Sequence, residues 1–384
     1  MHTNFDVIII GGGSVGTPLA LYLAQLGLRV LVVEKNASIG QGSNKTAIGG
    51  IRATHSDFTK IHLCQHSLKV FSTWKDKYGD DIEWQQGGYI FLAHSKSDQE
   101  KLSNLTKWQV EQGLDIQYLS PLDLVNIVPF LNPTSLLGGT FSPNDGHASS
   151  LLAIYSMFLH AQRLGASFHF NENCGGFITE KNKIIGIFTN KKKYYSKFII
   201  IANGAWAADL CGKLQIHLQV TPDAHEAGIT EPVQKFFSPL IVDMRQMADS
   251  ENFYFYQNAL GQVMFCLTPY PQQWGFNTEE SSRFLPLAAQ RLIEIMPICA
   301  NLRVRRVWRG LYPMTPDGLP YIGIIPEYDG LILAVGMCGQ GFMLGPGIAD
   351  LLSRLIVENL THRDHEILEK LSHNRKSTDQ EMLK

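Results

Sequence analysis

Long apolar runs are missing from this chain: nowhere in its 384 residues does a hydrophobic stretch approach the roughly 18 to 20 residues that span a bilayer. No integral membrane segment is expected, and any membrane association is limited to peripheral contact. Excess charge of one sign is missing too. With 33 Lys and Arg against 35 Asp and Glu the net charge is −2, which gives no electrostatic reason for a nucleic-acid partner. Cysteines are few and scattered. Cys64, Cys174, Cys211, Cys266, Cys299 and Cys338 form no CxxC pair, so a disulfide framework, a zinc site and an iron-sulfur centre are all unexpected. The start, MHTNFDVIIIGGG, lacks the basic region and long apolar core of a secretory signal. The expected compartment is the cytoplasm, with the inner membrane face as the place for any peripheral contact. What the chain does have is core-forming material. Hydrophobic residues make up 45% and charged ones 18%, enough for a well-packed globular protein of two or three domains.

The clearest local signal is N-terminal. Asp6 to Ile10 reads as a strand buried on both faces of a parallel sheet, and glycines follow it directly. Gly11, Gly13 and Gly16, with Ser14 and Val15 between the last two, spell GxGxxG. Gly11 permits the tight turn, Gly13 lets a pyrophosphate approach the backbone, and Gly16 lets helix and strand pack closely. A helix, Thr17 to Leu26, is closed by Gly27, and a second strand, Arg29 to Val33, ends in Glu34, 23 residues beyond Gly11. There a dinucleotide fold needs an acid for the adenosine ribose. A merely structural glycine turn is the competing reading, but strand, glycines, helix, strand and acid occur in order within the 29 residues Asp6 to Glu34. An acid at position 34 argues against a 2′-phosphate, so the ligand is FAD or NAD rather than NADP.

Further along, helices are expected over Thr59 to Tyr78, Ser95 to Gly113, Ser150 to Leu164 and Ala288 to Met296. Strands are expected over Glu83 to Leu92, within Cys174 to Ala202 and within Val220 to Leu267, while Gln117 to Pro133 reads as loop-rich. Residues 361 to 384 read as a charged, mobile tail. A second strand, Gly330 to Val335, runs into GMCGQGFMLGPG (336 to 347) and then a helix, Ile348 to Val357. Here Gly339, Gln340, Gly341, Phe342 and Met343 offer unpaired N–H groups and a positive helix end to something electron-rich. In a flavoenzyme that is N1 and O2 of the isoalloxazine; the competing reading is a plain glycine-rich connection. His62 and His66 stand at i,i+4 spacing on a helix, but Leu63 replaces the HExxH glutamate and no third ligand is evident, so no metal is expected.

Taken together, the N-terminal fingerprint with Glu34, GSNKTAIGGIR (42 to 52), ANGAW (202 to 206), WRGLYPMTPDGLPYIG (308 to 323) and GMCGQGFMLGP (336 to 346) resemble the FAD-dependent amino-acid oxidoreductases of the D-amino-acid oxidase, glycine oxidase and sarcosine oxidase group. The flavour is that of the sarcosine oxidase beta subunit, dye-linked proline dehydrogenase and D-amino-acid dehydrogenase branch. The resemblance implies an α/β fold: a Rossmann-like FAD-binding domain with a doubly wound parallel sheet (1–86, 145–219, 307–360) and a discontinuous, mostly antiparallel α+β substrate domain (87–144, 220–306). It implies FAD contacts from Lys35, from Ser43, Thr46, Ala47, Gly49 and Gly50 along the flavin, and from Gly204 and Trp206. Arg52 is the implied anchor of a substrate carboxylate, with an interdomain salt bridge as its alternative. Tyr254, Tyr256 and Tyr312 are pocket candidates, although aromatic residues at strand spacing are more often core. His225, next to Glu226, is a candidate acceptor of the substrate's amine proton or half of a structural pair.

This sequence also departs from the family pattern. Some members tether FAD through a cysteine where this chain has Gly310, so non-covalent FAD is implied. Glycine oxidases carry a substrate-binding arginine where this chain has Tyr312. Lysines over the flavin and in GHGFK become Met264 and Met343, and the histidine of GHG becomes Gln340. Their loss favours a dehydrogenase that hands electrons to a quinone, a dye or a flavoprotein over a peroxide-forming oxidase. The implied substrate is a small amino acid or N-alkyl amino acid such as glycine, sarcosine, proline or a D-amino acid. Partner subunits, with the chain inactive alone, are the second possibility; a pyridine-nucleotide dehydrogenase is the third.

Overall fold

The computed structural model describes residues 5–376 and 380–383. Its first sheet runs in the order Tyr321–Ile324, Leu331–Val335, Lys193–Ile201, Phe5–Ile10, Val30–Val33, Ser167–His169. All neighbours are parallel except the first two strands. Side chains alternate strictly across it. Val7, Ile9, Val30 and Val32 join a core with the helices Gly16–Gln25, Phe58–Ser72 and Gly341–Ile356. Ile8, Ile10, Leu31 and Val33 enter the opposite core, with residues of the meander Cys174–Glu180 and Lys183–Thr189 and of the helix Ala207–Gly212. Burial on both faces is why these strands read as unbroken apolar runs.

Parallel strands end on the same edge. Gly11, Glu34, Ala202 and Gly336 follow directly on Ile10, Val33, Ile201 and Val335, so four loops gather at one rim. From Phe5–Ile10 the chain moves to one neighbour, Val30–Val33, and only much later supplies the other, Lys193–Ile201. Such a reversal opens a crevice in a doubly wound sheet.

The second sheet runs Val304–Met314, Thr221–Pro232, Gln262–Pro269, Ser250–Gln257, Leu240–Asp243, Tyr89–Ala93, Gly138–Ser142, Gln117–Leu119. It is antiparallel save for Leu240–Asp243 beside Tyr89–Ala93. Period-two alternation again sorts its faces. Phe253, Phe255, Ile90 and Leu92 pack with residues of the helix Phe284–Ile295, whereas Tyr254, Tyr256, Tyr89 and Phe91 belong to the opposite face. The expected boundary at residue 307 cuts a strand: Val304–Met314 pairs along Thr221–Thr230, with one irregularity between Ile229 and Thr230, which puts 307–314 in the antiparallel sheet.

Several expected elements are redrawn. Thr59 to Tyr78 divides at Thr73 into Phe58–Ser72 and Trp74–Tyr78. Glu83 to Leu92 is strand only over Tyr89–Ala93, since Gly88 takes φ +84° and Gly87 lies against the Ser238 carbonyl. Gln117 to Pro133 holds a short strand and a helix, Pro121–Ile127, capped by Ser120. Where a mobile tail was expected, residues 361–376 and 380–383 are packed against the fold, residues 377–379 and 384 lying outside the described residues. His362–Lys370 is a helix with a Thr361–Asp364 capping box, and Ile367 and Leu371 are buried. Amphipathic spacing, not the charge count, is what mattered there.

The helix after the second glycine-rich turn starts at Gly341, seven positions before the expected Ile348, and runs through Pro346. Close packing explains its glycines. A Cβ on Gly345 would lie 2.0 Å from the Ser14 carbonyl oxygen, and one on Gly347 would lie 2.1 Å from that of Leu63. Gly347→Ala is therefore expected to destabilise the fold by about 1–3 kcal/mol, the usual cost of overpacking against backbone. A denaturant midpoint equal to the parent's would contradict this packing account.

Candidate active site

A cavity of about 860 Å³ opens at the rim where the four loops meet and extends under the second sheet. At its nucleotide end Gly11 adopts φ +107°, and a Cβ there would lie 2.6 Å from the Ala202 carbonyl oxygen. Gly13 has open space where its Cβ would be. The helix Gly16–Gln25 starts without a side-chain cap; the Gly13 carbonyl takes the Thr17 N–H and Pro18 has none, which leaves the Gly16 N–H for a ligand. Buried Glu34 is already oriented: one oxygen accepts the Gly12 N–H at 2.9 Å, the other accepts the Asn36 N–H at 2.9 Å and the Asn36 side-chain amide at 2.7 Å. Lys35 lies 3.1 Å from the centre of the Trp206 ring, and burial lowers its ammonium below the ordinary lysine value.

Across the cavity the 42–52 loop is stitched to the second sheet. Ser43 donates its hydroxyl to the Leu311 carbonyl at 2.7 Å, and the Trp308 indole donates to the Thr46 carbonyl at 2.8 Å. Gly49 takes φ +92° with its missing Cβ 2.1 Å from the Ala148 carbonyl oxygen. Opposite, the helix Gly341–Ile356 also begins uncapped, with Gln340 before it. Two uncapped helix starts thus face one cavity. Residues lining the cavity also carry three side-chain oxygens, Asn44 Oδ1, Asn203 Oδ1 and Gln340 Oε1, that are buried with no hydrogen-bond partner among the described residues. Buried polar atoms of this kind are normally satisfied, so they mark where a polar ligand belongs.

The remaining wall carries the substrate candidates. The Tyr254 and Tyr312 hydroxyls are 2.6 Å apart, and His225 stacks on Tyr312 at 3.9 Å. Burial pushes both phenols well above their ordinary value, so they act as neutral hydrogen-bonding groups and not as bases. His225 Nε2 lies 2.9 Å from Asp223. Burial raises the Asp223 carboxyl, but the hydrogen bond and charge of His225, together with the backbone N–H groups of Gln273 and Ala224, outweigh it and hold the group below its ordinary value. Arg52 is buried: it donates to the carbonyls of Thr54 and of Leu383, the latter at 2.6 Å, and lies 3.2 Å from His55 Nδ1. Among the described residues it forms no ion pair with a carboxylate. Nearby Asp145 is pushed up to about 6 by burial, although it accepts from the Ala53 N–H and the Thr54 hydroxyl.

Most residues singled out in the sequence line this cavity: Gly11, Gly13, Ser14, Val15, Glu34, Lys35, the 43–52 set, Gly204, Trp206, Gly339 to Met343, His225, Tyr254 and Tyr312. Three do not. Gly16 packs against the Gly11 carbonyl, Gly310 against Thr46, and Tyr256 donates its hydroxyl to the Ile48 carbonyl with its ring tilted against His147. Tyr256 is two residues beyond Tyr254, on the same face but past the cavity's end. Met264 is also off the cavity and lies against the Tyr256 hydroxyl. His225 pairs with Asp223 and not with Glu226, which accepts from Ser281. Asp223 escaped notice although i,i+2 spacing on a strand puts it on the face of His225. Tyr89, Phe91, Glu172 and Thr268 also line the site and carry no motif to announce them. His66 binds the Tyr22 hydroxyl and faces Asp350; among the described residues no group of three or more His, Cys, Asp or Glu side chains is arranged to hold a metal.

A glycine turn on a parallel sheet, an acid on the second strand and two helix starts over one long cavity define a dinucleotide-dependent oxidoreductase. More particularly, the chain belongs to the DAO family of FAD dependent oxidoreductases, whose pattern matches residues 6–355. FAD is accordingly its cofactor, and the open Gly13, the preset Glu34 and the unpaired Asn203 and Gln340 oxygens fit such a ligand. The chain is similar to glycine oxidase of Geobacillus kaustophilus, at 25% identity over 94% of each chain. It is also similar to sarcosine oxidase subunit beta of an Arthrobacter species, at 25% identity over 94% of this chain and 88% of that one. The solved structure of L-proline dehydrogenase from P. horikoshii superposes with a TM-score of 0.90 at 26% identity, covering 98% of both chains. Among the described residues no helix is long and apolar enough to cross a membrane.

Glu34→Ala should weaken FAD retention by about tenfold or more, the effect of losing charge-assisted hydrogen bonds of ~1.5–3 kcal/mol, and equilibrium dialysis of the flavin measures it. Asp145 yields a second expectation. Its folded value of about 6 lies above the ordinary 3.8, so the stability it contributes is present below the lower value and is lost as pH rises through the higher one. Relative to the parent, Asp145→Asn should gain stability between pH 4 and pH 7, by of order 3 kcal/mol. Denaturant unfolding at the two pH values tests this; equal differences would refute it.

Proposed function

We propose that the chain oxidises an amino acid or N-alkyl amino acid, and that Arg52 holds the substrate's carboxylate. The observation that carries this reading is a buried guanidinium on the cavity wall, bonded to neutral carbonyls and to no carboxylate among the described residues. An arginine so placed keeps its charge for an anionic ligand, which it grips bidentately. When bound, non-covalent FAD supplies a two-electron acceptor for the hydride that leaves the carbon next to the substrate nitrogen. Tyr254 and Tyr312, neutral and sharing one hydrogen bond, have a hydroxyl proton left to donate to the substrate. Asp223 fixes the His225 ring, and His225 takes the amine proton. The imine that leaves is hydrolysed in water.

The chain is proposed to work as a dehydrogenase, passing electrons to a quinone, a dye or a flavoprotein. Met343 stands on the cavity wall in the turn where related oxidases carry a lysine, and Lys35 and Lys213, the lysines that line the cavity, lie by Glu34 and Gly175. Likeness to a sarcosine oxidase beta subunit supports a second reading, a flavin-bearing subunit of a larger assembly.

The test is anaerobic mixing of the yellow protein with a panel of amino and N-alkyl amino acids. Bleaching by one class, reversed quickly by a quinone and slowly by air, is the expected result. Bleaching reversed at once by air would remove the dehydrogenase assignment, and no bleaching by any amine would favour the subunit reading. Arg52→Met is expected to raise KM for the bleaching substrate about 100-fold, equivalent to ~3 kcal/mol of lost ion pairing.

A further inference from the structure

We propose that the segment Gln380–Leu383 is a positioning element for Arg52, locked into place by the carboxylate of Glu381. The proposal rests on the reading of Arg52 as the substrate's carboxylate anchor. Glu381 is 3% exposed and sits in a built cradle. One of its oxygens accepts the Ser56 N–H at 3.0 Å, the Ser56 hydroxyl at 2.7 Å and the Leu383 N–H at 3.0 Å. The other lies 3.6 Å from Lys60 Nζ and 3.9 Å from His55 Nδ1, with Lys60 fully buried. The segment's own backbone adds two bonds, from the Glu381 N–H to the Asp317 carbonyl at 3.0 Å and from the Met382 N–H to Ser56 Oγ at 2.7 Å.

These anchors fix the direction of the next carbonyl. Leu383 C=O accepts from Arg52 Nη2 at 2.6 Å and from Gln340 Nε2 at 3.4 Å, joining the candidate substrate anchor to the turn before the helix Gly341–Ile356. The Leu383 side chain is buried in the apolar cluster that holds Tyr89 and Phe91. Those rings lie 5.9 Å and 5.1 Å from the Arg52 guanidinium carbon. Arg52 is thus held by dipoles and aromatic rings with no carboxylate in direct contact, buried Asp145 acting on it only through space, while the charge of Glu381 faces Lys60. Separating these two tasks matters because a carboxylate placed directly on Arg52 would fix it equally well and neutralise it.

The test uses the full-length FAD-bound protein, with acetate as the probe and the flavin absorbance change as the readout. Glu381→Ala is expected to weaken acetate binding about tenfold and to raise KM for the amino-acid substrate by the same factor, with kcat within about twofold. Glu381→Gln, which still accepts from the Ser56 N–H, should restore most of that affinity; a purely structural role would move melting temperature and flavin content without this split. Should Glu381→Ala not fold, Ser56→Ala keeps the Glu381–Lys60 pair and is expected to weaken acetate about threefold. Acetate affinity that is unchanged or tighter in the folded variants would overturn the proposal, tighter binding showing that the segment blocks the subsite. Arg52→Met separates the two claims. If it binds acetate as the parent does, the anchor reading falls; if it fails to bind while Glu381→Ala binds normally, only the positioning role falls.

Discussion

The arrangement depends on one geometric constraint: parallel strands, each entered from the same end, must all finish on the same edge. That edge receives the turns at Gly11, Glu34, Ala202 and Gly336, and the chain's reversal around Phe5–Ile10 leaves a crevice between them. No side chain has to be strained to create the cavity. Side chains refine it: Glu34 is held by Gly12 and Asn36, the 42–52 loop is tied down by Trp308, and glycines are used where backbone meets backbone.

The second sheet contributes a wall of a different character. Its tyrosines are uncharged, its one cavity-lining imidazole is oriented by an ionised aspartate, and it meets the first sheet's loops both at the 42–52 loop, through Trp308, and at Pro313, whose carbonyl accepts the Cys338 N–H at 3.1 Å. Low polarity around a single guanidinium strengthens that guanidinium's attraction for an anion, since fewer solvent dipoles screen it. Orientation of a small substrate then needs few groups, in keeping with chemistry that belongs to the cofactor.

Much of this was legible before any coordinates. Buried parallel strands must be apolar on both faces, and backbone that approaches a phosphate must be glycine, so both leave dense local traces. Residues 5 to 34 could be read almost residue by residue. The helix start at Gly341 was missed because its glycines looked like a turn; they are there for the Ser14 and Leu63 carbonyls, which are far away in sequence. Asp223 was legible in its i,i+2 spacing to His225, whereas Tyr89, by strand register, and Glu172, by pairing with the Glu34 backbone, join the site in ways no local pattern encodes. The C-terminal region was misjudged for a similar reason: its charges suggested solvent, whereas Asp364 and Glu381 find Arg354 and Lys60 within the fold.

The contact between Gly345 and Ser14 acts on the ligand as a caliper. Ser14 belongs to the turn below the first helix and Gly345 to the first turns of the helix Gly341–Ile356, with a Cβ-to-oxygen distance of only 2.0 Å available, so the two helix starts lie side by side. Backbone hardness, not side-chain choice, therefore sets the gap between the two positive helix ends. A ligand must therefore bring its electron-rich atoms close together to meet both ends at once, and their spacing becomes a criterion of recognition.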